Sequence, residues 1–222
     1  MTAPSQPRKR PAHAGHTTHT SQTNSQRALE RVRDEARHCK ACPLWANATQ
    51  TVFGEGDADA AIMLVGEQPG DQEDIAGHPF VGPAGRVLDR ALVDAGIARG
   101  RLYVTNAVKH FKFEPRGKRR MHKKPSDAEI GVCHQWLARE IALVAPKLIV
   151  AMGASAARAL LGRATAINAN RGRLLPFADS AQLLITVHPS FLLRVPDEDK
   201  ASEFSKFVED LKLAAPFLQA RG

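Results

Sequence analysis

Three cysteines in 222 residues are too few, and too oddly placed, for a secreted disulfide scaffold. The first twenty residues hold no apolar run, so no secretory signal is expected. No stretch approaches the roughly 20 apolar residues needed to cross a bilayer. A reducing, cytoplasmic setting and no membrane partner follow as expectations. Acid is scarce in two places. Residues 1–24 have none, and residues 109–124 carry eight Lys/Arg against the single Glu114. The chain as a whole has 31 Lys and Arg against 23 Asp and Glu, a net charge of +8. That excess points to a polyanionic partner, with nucleic acid the first candidate. The hydrophobic fraction of 43% is enough to build a core.

Residues 1–24, rich in Thr, Ser, Pro, His and Gln, cannot bury enough apolar surface to offset the entropy of ordering, and a disordered tail is expected. His13, His16 and His19 recur there every third residue. Residues 25–222 are expected to form a single domain, acting as a monomer. Ala28, Val32, Ala36 and Cys39 suggest a helix that runs into a cysteine turn. Short continuous apolar runs at 60–66, 102–106, 147–152 and 182–187 have the character of strands buried on both faces. Helical spacing separates them at 85–97, at 126–144 behind the capping box Ser126-Asp127-Ala128-Glu129, at 154–161 and at 201–214. Strands alternating with helices predict a three-layer α/β/α architecture around a central four-stranded parallel sheet.

Ligands of such sheets sit at the carboxyl ends of strands, and here the unusual polar segments all follow strands. The first runs Gly66-Glu67-Gln68-Pro69-Gly70-Asp71-Gln72-Glu73-Asp74 and leads to Gly77-His78-Pro79-Phe80-Val81-Gly82. Glu67 and Asp71 bring carboxylates able to position a water or stabilise a developing cation. The loop lacks the Lys-Ser/Thr ending of a phosphate-binding P-loop. Phe80 is either a core aromatic or a stacking platform. The second segment runs from Asn106 to Lys124. The third, His188-Pro189-Ser190-Phe191-Leu192-Leu193-Arg194, joins a possible hydrogen-bond donor to apolar residues. Beside Arg194, that apolar run reads either as a DNA wedge or as an ordinary helix start.

Taken together, GEQPG at 66–70, GHPFVGPAG at 77–85, YVTNAVK at 103–109 and HPSFLLR at 188–194 resemble the uracil-DNA glycosylase superfamily. The likeness runs from about residue 36 to 215. Within the superfamily the chain most resembles the iron–sulfur, family 4-like branch and, inside it, UdgX. The resemblance implies the following roles. Glu67 and Gln68 occupy the water- or cation-directing motif, with Asp71 and Asp74 nearby. Phe80 stacks on a flipped base, Asn106 reads its Watson–Crick edge, and His188 holds a uracil carbonyl as negative charge builds there. Arg120 and Arg194 contact the DNA, for which single-stranded, uracil-containing substrate is expected to suffice.

Cys39-x-x-Cys42 and Cys133 offer three thiolates, one short of a cubane. Relatives of this kind carry a cysteine just after the Val-Lys of the second strand, where this chain has His110. Histidine can replace thiolate on iron, so Cys39, Cys42, His110 and Cys133 are expected to hold one [4Fe–4S] cluster. The segment Lys118-Arg119-Arg120-Met121-His122-Lys123 resembles the arginine-rich loop of UdgX. That likeness implies that His122 attacks C1′ of the sugar once uracil has left, bonding the protein to the abasic DNA. The alternatives are a turnover glycosylase without that bond, and a non-catalytic iron–sulfur module that binds nucleic acid.

Overall fold

The computed structural model describes residues 23–178 and 181–218. The tail reading for 1–24 therefore lies outside the described residues up to 22, as do His13, His16 and His19. At its near edge the reading shifts, because the Thr23 side chain accepts the Gln26 N–H and starts helix α1 (Asn24–Ala36). In chain order there follow β1 (Glu55–Gly56), β2 (Ile62–Gly66), α2 (Asp71–Ala76), α3 (Pro83–Asp94), β3 (Leu102–Asn106), β4 (Phe113–Arg116), β5 (Arg119–His122) and α4 (Asp127–Val144). The remainder comprises β6 (Leu148–Met152), α5 (Ala154–Leu161), α6 (Ile167–Asn170), β7 (Leu174–Pro176), β8 (Gln182–Thr186), α7 (Pro189–Leu192) and α8 (Asp197–Lys212).

The main sheet has the order β1-β3-β2-β6-β8-β7. Its four inner strands are the four expected ones and are mutually parallel. Two antiparallel edge strands, β1 and β7, extend it to six. At two and three residues they are too short to carry a periodic signal. Side chains alternate between the two faces as the pleat requires. Met63, Val65, Tyr103, Ile149 and Ile185 pack under α1, α4 and α5, while Ile62, Leu64, Val104, Val150 and Leu184 pack under α3 and α8. The closing helix begins at Asp197 rather than 201. Asp197, Glu198 and Asp199 fill its first turn, where carboxylates oppose the positive end of the helix dipole but leave no apolar pattern.

Strand order decides where a ligand fits. From β2 the chain steps to one side to form β3, then crosses to the other side to form β6 and β8. The crevice between the carboxyl ends of β2 and β6 is therefore the topological switch point. The segment 109–124 is not an open loop. Strands β4 and β5 pair antiparallel as a separate hairpin, with Phe113 opposite His122 and Arg116 opposite Arg119. Its two-residue turn needs positive φ first, and Gly117 adopts φ +60°, as in a type II′ turn.

Candidate active site

Glu67 directly follows β2, Asn106 ends β3, and His188 lies two residues past β8. Gly66 lets two of the other groups approach. A Cβ there would collide with Asn106 Oδ1 and with the tip of the Phe80 ring, so the position is empty because amide and aromatic ring occupy it. Phe80 has φ +57°, rare for a side chain of its size. Its surroundings over-determine it. Arg99 donates to the Pro79 and Phe80 carbonyls, and Gly85 leaves room for the Phe80 carbonyl to approach helix α3. The Phe80 and His188 ring centroids lie 5.8 Å apart.

The tautomer of His188 follows from its contacts. The Ser190 backbone N–H donates to Nδ1 at 3.2 Å, with the Ser190 hydroxyl 2.9 Å away. Nδ1 is thus the acceptor, and the ring proton sits on Nε2. Nε2 is buried and has no hydrogen-bond partner among the described residues; Asn106 Oδ1 shares that state. Buried polar atoms are nearly always satisfied, so one unmatched donor past β8 and one unmatched acceptor at the end of β3 are what a ligand would complete. Burial lowers the His188 pKa to about 4, against the pull of Glu67.

Both Glu67 oxygens have partners. The Ser155 hydroxyl donates to Oε2 at 2.5 Å, and His122 Nε2 stands 3.2 Å from Oε1. Burial acts to raise the Glu67 carboxyl, but hydrogen bonds from His122 and Ser155 and the nearby imidazoles bring it below its ordinary value. His122 reaches this position because the hairpin is tied down at three places. The Gln68 amide donates to the Lys112 and Lys123 carbonyls and accepts the Lys112 N–H. Arg120 donates to Asp71 at 2.6 Å and to fully buried Asp74 at 2.5 Å. Arg120 also lies over the rings of Phe111 and Phe113. The third tie is the His122–Glu67 contact itself.

The sequence-derived set therefore divides. Glu67, Phe80, Asn106, His122 and His188 converge on one crevice. Gln68, Asp71, Asp74 and Arg120 instead have their polar groups engaged with one another and with the hairpin backbone, an arrangement that braces His122. Arg194 and the half-exposed Phe191 and Leu193 rim the site on α7 and just after it.

Three further residues carry no motif signal. Glu73 accepts the Gly70 and Gly82 N–H groups, joining the two glycine-rich loops. Fully buried Glu140 takes hydrogen bonds from the Gly54 N–H, Tyr103, Thr105 and Lys109. Lys109 Nζ in turn donates to the Asn106 carbonyl at 2.7 Å, so a buried ion pair under β3 holds the Asn106 backbone. The third is Ser155, from the end of β6, a fourth strand end beside the three expected.

The cysteines lie where α1 and α4 meet the exit of β3. Cys133 is buried, Cys39 and Cys42 pack on the same part of the core, and Cys39 and Cys133 accept N–H groups from Trp136 and Lys109. Burial pushes the Cys133 thiol up to about 11, so a thiolate there needs a metal cation to hold it. Thr51 spends its proton on the Ala36 carbonyl and lies 3.0 Å from His110 Nε2. That places the His110 proton on Nε2 and leaves the Nδ1 lone pair free. Among the described residues no three His, Cys, Asp or Glu side chains are grouped so as to hold a metal. Thiolates and an imidazole are donor types that iron–sulfur clusters take.

The family model described as the uracil DNA glycosylase superfamily matches residues 53–212. The chain belongs to the uracil DNA glycosylase superfamily. It is similar to the type-4 uracil-DNA glycosylase of Thermotoga maritima, 36% identical over 196 residues that cover 87% of this chain and 96% of the relative. The type-4 uracil-DNA glycosylase of Pyrobaculum aerophilum is 34% identical over 76% of this chain and 86% of its own. That of Sulfurisphaera tokodaii is 34% identical over 79% and 80%. The chain is a DNA glycosylase of this superfamily. No helix among the described residues is long and apolar enough to cross a membrane.

Proposed function

We propose that the protein excises uracil from DNA and that the unmatched pair at the strand ends is its uracil-recognition element. The observation that carries this reading is that the buried acceptor Asn106 Oδ1 and the buried donor His188 Nε2 both lack a partner among the described residues. Uracil offers an N3–H donor and carbonyl acceptors, whereas cytosine has an unprotonated N3, which would meet the Asn106 oxygen lone pair to lone pair. A base inside a duplex is unreachable, so it is extruded and lies against Phe80. As the N1–C1′ bond breaks, its electron pair moves onto the base. His188 Nε2–H donates to the carbonyl that gains charge, and the Glu67 carboxylate faces the cationic sugar. Because both Glu67 oxygens already accept hydrogen bonds, cation stabilisation suits it better than water activation. The basic hairpin and Arg194 contact phosphates, and α7 with Phe191 and Leu193 wedges the strand.

Turnover, with water closing the reaction, is the reading that the names of the type-4 relatives support. One specific observation favours a second: His122 Nε2 occupies the face of Glu67 Oε1 that an attacking water would use. In this reading the Nε2 proton passes to the Glu67 carboxylate as the freed nitrogen lone pair bonds to C1′, the imidazole arriving before water through its effective molarity, and the protein stays bonded to the DNA. A denaturing gel with uracil-containing single-stranded DNA separates the two. A slow-migrating band that vanishes with His122→Ser is expected for the covalent reading. A wild-type sample running as free, cleavable DNA establishes turnover.

Cys39, Cys42, His110 and Cys133 would hold a [4Fe–4S] cluster, which would supply a structural cross-link between α1, the β3 exit and α4. Replacing His110 with alanine is expected to cut iron per protein and the visible absorbance by at least half. Undiminished iron would remove His110 from the ligand set.

A further inference from the structure

Glu67 has a partner that no motif marks. Ser155 is the second residue of α5, and only 2% of its surface is exposed. Its hydroxyl has one proton, donated to Glu67 Oε2 at 2.5 Å. Glycine makes this possible: Gly153 turns the chain from β6 into α5 at φ +90°, and a Cβ there would sit 3.0 Å from His188 Cβ. The β6–α5 turn therefore packs against His188 while delivering Ser155 across the switch point to Glu67. The other groups facing the carboxylate are His122 from the hairpin and the His188 imidazole from the end of β8.

We propose that Ser155 is a positioning residue that fixes the Glu67 carboxylate with Oε2 turned inward and Oε1 presented to the reacting sugar. This rests on the reading of Glu67 as the group facing the sugar cation. The terminal torsion of a glutamate is soft, so an unanchored carboxylate would sample orientations that aim neither oxygen at C1′. The hydroxyl also supports the ionised form, because burial alone would favour the neutral acid.

The test is the pH dependence of single-turnover uracil release. Ser155→Ala is expected to move the acid limb up by about one pH unit. The loss would be roughly tenfold near the limb and would fall at pH 8 to the part due to lost orientation alone, with Ser155→Thr restoring both because it restores the hydroxyl. The Glu67 carboxyl resonance, followed by ¹³C NMR in the folded variant, is expected to titrate correspondingly higher. On a Glu67→Gln background, Ser155→Ala is expected to add no further loss, as for two residues acting through one group. A Ser155→Thr variant as impaired as Ser155→Ala, or full additivity on that background, would overturn the proposal. An unchanged rate for Glu67→Gln alone would instead sink the reading of Glu67, and the positioning role with it.

Discussion

Replacing His188 with alanine is expected to slow single-turnover uracil release by roughly 10²–10³-fold, the usual cost of removing one preorganised donor from developing negative charge. The effect should be large because the site is built around one proton. The Ser190 N–H fixes Nδ1 as acceptor, and Nε2, the buried end of a half-buried residue, has no competing protein partner among the described residues. A donor that needs no reorganisation, in a site shielded from water, counts for more than the same donor in solvent. Neutrality matters as much as position. Burial lowers His188 to about 4, so it remains a neutral imidazole across the physiological range. The sign for stability follows. An unfolded histidine takes up its proton near pH 6.5, so between about 6.5 and 4 the unfolded state binds more protons. Folding stability from this residue is then complete above 6.5 and lost progressively as pH falls toward 4. ¹⁵N NMR of the ring should show the Nε2–H tautomer and a midpoint near 4. A midpoint near 6.5, or a rate loss below tenfold, would contradict the assignment.

Glu140→Ala is expected to destabilise the fold by about 3–5 kcal/mol, since removing one member of a buried pair leaves the other charge uncompensated. Lys109 and Glu140 are both fully buried, their charged atoms 2.5 Å apart. Glu140 also satisfies the Gly54 N–H and the Tyr103 and Thr105 hydroxyls. Burial of the Tyr103 ring, reinforced by the Glu140 charge, pushes its phenol far above the usual range. Replacing both partners, Lys109→Met with Glu140→Leu, should recover much of the loss in urea unfolding because no buried charge remains. Uracil release by that double variant should stay impaired, because Lys109 Nζ no longer holds the Asn106 carbonyl. A destabilisation under 1 kcal/mol for Glu140→Ala would show that water reaches the pair.

The strands and the polar residues at their ends were legible because each is local. The four inner strands, helix α4 behind its capping box and helix α5 repeat short-range patterns of burial and capping. Glu67, Asn106 and His188 stand out because each follows an apolar run that ends at one edge of the sheet. The edge strands β1 and β7 are too short to announce themselves. Gln68, Asp71, Asp74 and Arg120 carried the right chemistry for ligand contact, but in the fold Arg120 pairs with Asp71 and Asp74 while Gln68 bonds the hairpin backbone, across 44 to 55 residues of sequence.

What the amino-acid order determined by itself is the layered α/β class, the basic character of residues 109–124 and the set of polar groups at the strand ends. Tertiary structure alone decided that the basic segment is a hairpin braced by three ties. It also decided that His122 faces a carboxylate, and that Ser155 and the Lys109–Glu140 pair stand behind the reacting groups. The reason is physical. Periodicity and capping depend on neighbours within a few residues, whereas a buried hydroxyl or charge acquires its meaning only from the partner that removes its desolvation cost. Those partners lie up to 88 residues away, as Ser155 does from Glu67.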